Sequence, residues 1–410
     1  MRLSYLSFVF WVAFLALLTS TDAQIDAKTY KKADKLAHKY IILDGHVDLP
    51  YRLKVQNFQL TRDYIGIPIQ TDEGDFDYVR AKKGGLDAPF MSIFIPASYQ
   101  DGRAKSLADS LIDMVEGVAN AHPDKFAITV SPAQVEANFK KGIISLPMGM
   151  ENGAPIEGRL ENVAYFHQRG IRYITLTHGK DNHICDSSYD TTRTWNGLSP
   201  FGIEVVAEMN RVGIMVDISH VSDSAFWQVM EMSKAPCIAS HSSCRKFTPG
   251  FERNMNDDMI RRLAKNGGVI QINFGSDFLD GSISAYNDKK RDELNEILQE
   301  KGLSRRDSLA KPIVEQFRKD NPNLYADVKT VADHIDHVVQ LAGVDYVGFG
   351  SDFDGVGDSL PTGLKDVSQF PNLIAELLHR GYSPADIKKM CSGNVLRVWQ
   401  EVERVAAQSE

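Results

Sequence analysis

Residues 201–220 read FGIEVVAEMNRVGIMVDISH. The first eleven, Phe201–Arg211, carry apolar side chains at helical spacing. Gly213–Ser219 is then an apolar run of strand length that ends against His220. The same unit repeats outward in both directions. Downstream, Ser222–Ser233 has helical spacing, Pro236–Ser240 is a strand, and the helix Asn256–Asn266 leads into the strand Gly267–Asn273. Upstream lie strand-like runs at Tyr40–Leu43, Ala88–Ile95, Ile143–Met150 and Ile171–Thr177, with a helical segment at Ser106–Ala121. Tyr346–Gly350 completes the series near the C-terminus. Near-continuous apolar strands alternating with helices indicate a parallel sheet covered on both faces. Eight such units in 410 residues predict an α/β fold, the closed (β/α)8 barrel of TIM type. A doubly wound open sheet is the alternative, but no Gly-rich dinucleotide turn follows the first strand.

Six of the eight strands deliver a His, Asp or Glu at their C-terminal end. The first runs into His46 and Asp48 (DGHVD, 44–48), the third into Glu151 (GMENG, 149–153) and the fourth into Thr177-His178. The fifth ends in His220 (DISH, 217–220), the sixth in His241 (SHSS, 240–243) and the eighth in Asp352 (GSDFD, 350–354). In a barrel this is the face on which active sites are built. His46 and Asp48 are two residues apart, so on an extended chain they point the same way and can grip one ion. Glu151 has two oxygens and is able to bridge two ions. One strand-helix-strand step separates His220 from His241, which places two imidazoles at neighbouring strand ends. Imidazole and carboxylate without thiolate suit a catalytic zinc site with open positions. Each residue alone has a plainer explanation: a buried His hydrogen-bonded in the core, Asp48 capping a helix, Glu151 in a solvated loop. Six together on one face do not. His38 and His167 are assigned the plain explanation.

The bulk numbers exclude some classes. Hydrophobic content of 43% and charged content of 24% are ordinary for a soluble globular protein. A net charge of −8 with no basic stripe argues against nucleic acid as a partner. At the N-terminus, Met1-Arg2, the apolar run Leu6–Leu18 and the small-residue stretch up to Ala23 have the parts of a secretory signal peptide, cleaved after Ala23. The run is short of the ~20 apolar residues of a membrane span. No lipoprotein Cys follows it, and Val402–Glu410 carries no hydrophobic tail for a GPI anchor. The expectation is therefore an exported protein, periplasmic or secreted, with residues 1–23 as the leader, 24–410 as a single domain and no stable membrane anchor. Cys185, Cys237, Cys244 and Cys391 fit no structural zinc spacing and read as scattered structural thiols, although two bridges are possible in an oxidising compartment.

Seven stretches, taken together, resemble the renal (membrane) dipeptidase family of zinc peptidases, in a bacterial-type form. They are DGHVDLP (44–50), GMENG (149–153), LTHGKDNH (176–183), GLSPFGIEVVAEMNRVGIMVDISHVS (197–222), SHSS (240–243), ERNMNDD (252–258) and GFGSDFDGV (348–356). The resemblance implies two zinc ions per chain: His46 and Asp48 on the first, His220 and His241 on the second, Glu151 bridging both. It implies that His178 contacts the substrate and polarises its carbonyl, that Arg253 pairs with the C-terminal carboxylate, and that Asp352 is the acid/base residue. The implied activity is hydrolysis of dipeptides by a metal-bridging hydroxide, with tolerance of a D-residue at the C-terminal position. β-Lactam hydrolysis as a side activity and a homodimer are also implied.

The chain departs from the family in places. Gly275 stands where mammalian members have an aromatic residue, which is expected to widen or reshape the substrate pocket. Residues 282–326 resemble insertions of bacterial members; they are expected to be helical from Asp288 to Lys301 and to lie outside the barrel as a solvated elaboration rather than a lid. The half-cystine that follows the His178 region in mammalian members is replaced by Gly179-Lys180-Asp181. Two competing functions remain: a related binuclear metal hydrolase acting on another amide or ester substrate, and a binding protein that has lost catalysis. Arg253 speaks against the first, and the complete set of five ligands with Asp352 against the second.

Overall fold

The computed structural model describes residues 25–55, 69–305 and 307–409. The expected leader, residues 1–23, lies outside the described residues. Eight parallel strands close into a barrel: β1 Ile42–Val47, β2 Leu86–Phe94, β3 Met148–Glu151, β4 Ile171–Thr175, β5 Met215–Asp217, β6 Ile238–Ser242, β7 Val269–Ile272 and β8 Val347–Phe349. Each strand pairs with its neighbours in the chain, and β8 closes on β1 with Asp44 opposite Phe349. Every one of the eight expected strands is in the barrel.

Two of them differ from expectation in extent. The first strand continues through Gly45-His46-Val47, so the polar DGHV residues are strand rather than loop, and all are buried. The third is cut in two before Pro147, which has no N–H to give to a ladder. Ile144–Leu146 pairs instead with Phe126–Ile128 in a small separate sheet, and only Met148–Glu151 enters the barrel. Helices follow the expected pattern with capped ends. Ser222 and Asn256 are not helical themselves; each accepts a backbone N–H of its helix, at Asp223–Met232 and Asp257–Lys265.

One apolar cluster plugs the barrel interior at the end opposite the functional loops. Leu43, Phe90, Tyr173, Met215 and Val269 pack there with Val395, Val398 and Trp399 of the C-terminal helix Asn394–Ala407. The insertion between β7 and β8 folds into the helices Gly281–Glu300 and Lys311–Asp320, joined through a cluster of their own around Leu294, Leu298 and Ala310. Its first helix starts seven residues before the expected Asp288, because Asp280 caps it by accepting the Ser282 N–H. No helix among the described residues is long and apolar enough to cross a membrane. Cys185, Cys237, Cys244 and Cys391 are buried free thiols.

One register pair matters for the site. Gly149 of β3 sits opposite Tyr173 of β4, and a Cβ built at Gly149 would lie 2.0 Å from the Tyr173 ring. Glycine is what lets that phenol cross the barrel. Replacing Gly149 by Ala forces the ring aside in a closely packed interior and should cost about 1–3 kcal/mol. Thermal melting of the variant would register this as a lowered midpoint, and an unchanged midpoint would show that the ring has room to yield.

Candidate metal centre

At the C-terminal mouth of the barrel, Glu151 ends β3 with its side chain 5% exposed. Four imidazoles face its two oxygens. Oε2 is 3.3 Å from His46 Nε2 at the end of β1. Oε1 is 3.1 Å from His220 Nε2, 3.3 Å from His241 Nε2 and 3.6 Å from His178 Nε2. Asp48 Oδ2 lies 3.4 Å from His46 Nε2, on the Oε2 side, and the His220 and His241 Nε2 atoms are 3.0 Å apart on the Oε1 side. Thus the structure brings together all five expected ligands. Asp352 joins the His46 and Asp48 side, with donor atoms of the three within 4.8 Å of one another.

These contacts are not a satisfied hydrogen-bond network. His46 Nε2, Asp48 Oδ1 and His220 Nδ1 are buried and have no hydrogen-bond partner among the described residues. Donor atoms held about 2.0–2.2 Å from a tetrahedral ion lie roughly 3.3–3.5 Å from one another, which is close to the spacing found here. The donor set of imidazole nitrogens and carboxylate oxygens therefore fits zinc or a similar divalent cation.

Surrounding side chains set which nitrogen is free. The Tyr173 hydroxyl is 2.8 Å from His46 Nδ1 and donates to the Gly45 carbonyl at 3.1 Å, so it accepts the Nδ1 proton and aims Nε2 at Glu151. Against burial, Tyr173, Glu151 and Asp48 raise His46 well above the imidazole range, and a bound cation would replace the Nε2 proton. His241 is oriented in the same way. Its Nδ1 is 2.7 Å from the Ser240 hydroxyl, which donates to Asp217 Oδ2 at 2.6 Å. Asp217 also accepts the Thr175 hydroxyl at 2.5 Å and the Ser219 and Ser240 N–H groups, so three strands share one buried carboxylate.

Charge follows from this packing. Burial, then Arg253 and His178, hold His220 well below the ordinary imidazole range; burial, His46 and Arg253 do the same to His241. Both rings are neutral and competent to bind metal. Burial alone would raise Glu151, but His46, His178 and the hydrogen bonds of His220 and His241 hold it well below the carboxylate range. Asp352 is pushed up to about 7, by burial first, then by Asp48 and Glu151 against the pull of His46 and the 2.8 Å hydrogen bond from Asn273 Nδ2. His220 and Asp352 have left-handed backbones, φ 69° and 63°, which non-glycine residues adopt at a cost and often at functional sites. Next to Asp352, a Cβ at Gly355 would come 2.2 Å from Asp48 Oδ2, so the loop approaches this closely only with glycine.

The ligands open onto a cavity of about 520 Å3 walled by Tyr51, Phe94, Tyr189, Phe278 and Val356, with His178 packed edge-on against Phe94. Arg253 sits just behind this wall. It is 3% exposed, donates from Nη1 to Ser242 Oγ at 2.6 Å and from Nη2 to the His241 carbonyl at 2.7 Å, and has an unpartnered buried Nε. Gly275 does not widen the pocket: the space of a side chain there is taken by Phe278 and Val356, 2.8 and 2.9 Å from its Cβ position. His38 hydrogen-bonds the Asp34 and Lys82 carbonyls at the surface, and His167 lines a separate hollow with Arg172 and Glu403. Sequence reasoning missed Tyr173, Asn273 and the aromatic walls, which carry no local signal. Asp217 stood in the DISH motif but was not given a role.

A model of the membrane dipeptidase family, peptidase family M19, matches residues 30–410. An uncharacterized dipeptidase of Schizosaccharomyces pombe is 31% identical over 386 residues, which are 91% of this chain and 83% of that protein. Dipeptidase 3 of Mus musculus is 31% identical over 388 residues, 94% of this chain and 69% of that protein. Among solved structures, the probable dipeptidase PvdM of Pseudomonas aeruginosa aligns with a TM-score of 0.77 and 26% identity, over 92% of this chain and 99% of that one.

Replacing Tyr173 by Phe removes the acceptor of the His46 Nδ1 proton while keeping the ring. Such supporting groups typically contribute about ten- to a hundredfold in metal affinity. Competition with a chromophoric chelator should show a loss of that size with an unchanged circular dichroism spectrum. Wild-type affinity in the variant would contradict the orienting role.

Proposed function

The chain belongs to the membrane dipeptidase family, a metallo-dipeptidase that hydrolyses peptide bonds, and from that premise we propose that it cleaves dipeptides at a two-zinc centre. The observation that carries this reading is the placing of Glu151 between two sets of donors: Oε2 faces His46 and Oε1 faces His220 and His241, with His241 also within 4.8 Å of the His46 donor atom and His178 grouped with His220. In the proposed assignment His46 and Asp48 would hold one ion and His220 and His241 the other, with Glu151 available to both.

When bound, the zinc ions supply Lewis acidity and bring the pKa of water near ~7, so that a nucleophile exists at neutral pH. The protein's own groups do the rest. His178, half-buried on the Oε1 side, is held below the usual imidazole range by burial and contacts the scissile carbonyl as a neutral ring. Asp352, raised to about 7, takes a proton at its carboxylate and returns it to the leaving amine. Asn273 holds the Oδ2 of that carboxylate in place. Arg253, buried behind the wall against the Phe278 ring and with its two outer nitrogens pinned, would supply positive charge towards the substrate's terminal carboxylate. Tyr51, Phe94, Tyr189 and Phe278 exclude water from around the substrate side chains. Acceptance of a D-residue at the C-terminal position belongs to the same proposal, in a cavity of about 520 Å3. Export through the leader at residues 1–23 to the periplasm or medium, and a homodimer, complete the proposal.

The direct test is a panel of dipeptides with free, amidated and D-configured C-termini, assayed with purified protein before and after metal stripping. Zinc-restored cleavage that needs the free carboxylate is expected. A fully zinc-loaded protein that cleaves none of them would overturn the assignment of the centre. Within the same assay Asp352→Asn should lower kcat by at least about a hundredfold, the usual contribution of a positioned acid/base, with zinc content intact. Full turnover by that variant would remove Asp352 from the mechanism.

A further inference from the structure

A second hollow adjoins the metal centre, between the insertion and the loop after β8. It encloses about 330 Å3 and shares Asp277, Val356 and Ser359 with the wall of the main cavity, so the two lie side by side. Four cations line it: Lys290, Arg291, Arg305 and Arg318. Two of these are matched by carboxylates, Lys290 by Glu293 at 2.8 Å and Arg291 by Asp288 at 2.5 Å. The other two are not. Arg305 donates only to neutral acceptors, Asn295 Oδ1 at 2.9 Å and the Arg291 carbonyl at 3.0 Å. Arg318 has no hydrogen-bond or ion-pair partner among the described residues.

Two acids share the lining, but neither makes an ion pair with Arg305 or Arg318 among the described residues. Asp358 is occupied by the Tyr325 hydroxyl at 2.8 Å and by Asn323 Nδ2 at 3.3 Å. Asp277 takes Asn287 Nδ2 at 3.3 Å, and burial, with Asp288, raises its pKa above the ordinary carboxylate value. Asp292 is the one acid that acts on Arg305, and it is outweighed there by burial and by the repulsion of Arg291 and Arg318. Three guanidinium groups are thus gathered against their mutual repulsion. What gathers them is rigid: the two insertion helices are locked by Leu294, Leu298, Ala310 and Phe317, and Asn287 ties the first helix to the Leu324 backbone in both directions. Like charges held together on a preformed scaffold beside a substrate cavity are relieved by an anion, and guanidinium pairs best with carboxylate in a two-pronged contact.

We propose that this hollow is an anion subsite that receives an acidic side chain of the substrate, so that dipeptides with a second carboxylate are preferred. This rests on the metal centre as the place of cleavage. The insertion then adds specificity to the barrel rather than mere surface.

The test compares kcat/KM for Ala-Ala with Glu-Ala, Ala-Glu and Ala-D-Glu, using zinc-loaded wild type, Arg318→Glu and the double variant Arg305→Ala/Arg318→Ala. Both arginines are exposed, so the fold should persist, and matched melting curves check this. Wild type should favour at least one acidic dipeptide over Ala-Ala. The double variant should lose that preference by roughly five- to tenfold for each arginine, mainly through KM. Ala-Ala turnover should stay at the wild-type level, and added salt should erode the preference of wild type alone. An acidic-to-neutral ratio of one in wild type, or an unchanged ratio in both variants, overturns the subsite while Ala-Ala cleavage leaves the metal centre standing. Failure of wild type on every dipeptide overturns both.

Discussion

A single buried carboxylate, that of Glu151, faces four imidazoles at the mouth of the barrel, and the rest of the site is arranged around that contact. Its two oxygens look in different directions, one towards β1 and the other towards the ends of β4, β5 and β6. Only a closed barrel brings those strand ends to one point, since β1 and β5 are four strands apart in the sheet. The cluster is costly without a cation. It desolvates carboxylates and leaves His46 Nε2 and Asp48 Oδ1 with nothing to bond. Metal and fold are therefore coupled in this chain: ion binding should also be stabilising, by the usual linkage between a ligand and the state that binds it.

Beneath the ligands, a second set of side chains fixes how they point. Tyr173 crosses the barrel to His46 because Gly149 makes way for it, and Asp217 collects Thr175, Ser219 and Ser240 so that Ser240 can hold His241. These groups touch no substrate. They convert flexible imidazoles into rings with a chosen tautomer and direction, which is what a metal of fixed coordination geometry requires. Farther down, the C-terminal helix fills the barrel floor with Trp399, so that the mouth is the open end. The left-handed backbones of His220 and Asp352 lie at that mouth.

Much of this was legible in the sequence, and the reason is physical. Strands buried on both faces are nearly continuous apolar runs, so a polar residue at their end stands out, and His46, Asp48, Glu151, His220, His241 and Asp352 did. Where local pattern was misleading, a single atom explains it. Pro147 sits inside an apolar run and breaks its ladder, sending Ile144–Leu146 to a separate sheet. At the first strand the polar DGHV residues looked like loop, yet they continue the strand because the barrel closes over them. Tyr173 and Asn273 could not be found from spacing, since each acts on a residue far away in the chain, His46 and Asp352 respectively. Gly275 is expected to widen or reshape the pocket; Phe278 and Val356 of the cavity wall occupy its space, so it reshapes the pocket without opening it, an event of packing that no local pattern encodes. The insertion reads as helical from Asp288 and carries the helices Gly281–Glu300 and Lys311–Asp320, but its arginines take on meaning only once they are seen to line a hollow beside the cavity.

The central claim is that Glu151 spans two metal ions. Anomalous diffraction from crystals of zinc-loaded protein, collected on both sides of the zinc absorption edge, tests it most directly. Two anomalous peaks are predicted, one between His46, Asp48 and Glu151 Oε2, the other between His220, His241 and Glu151 Oε1. A single peak, or peaks away from Glu151, would contradict it.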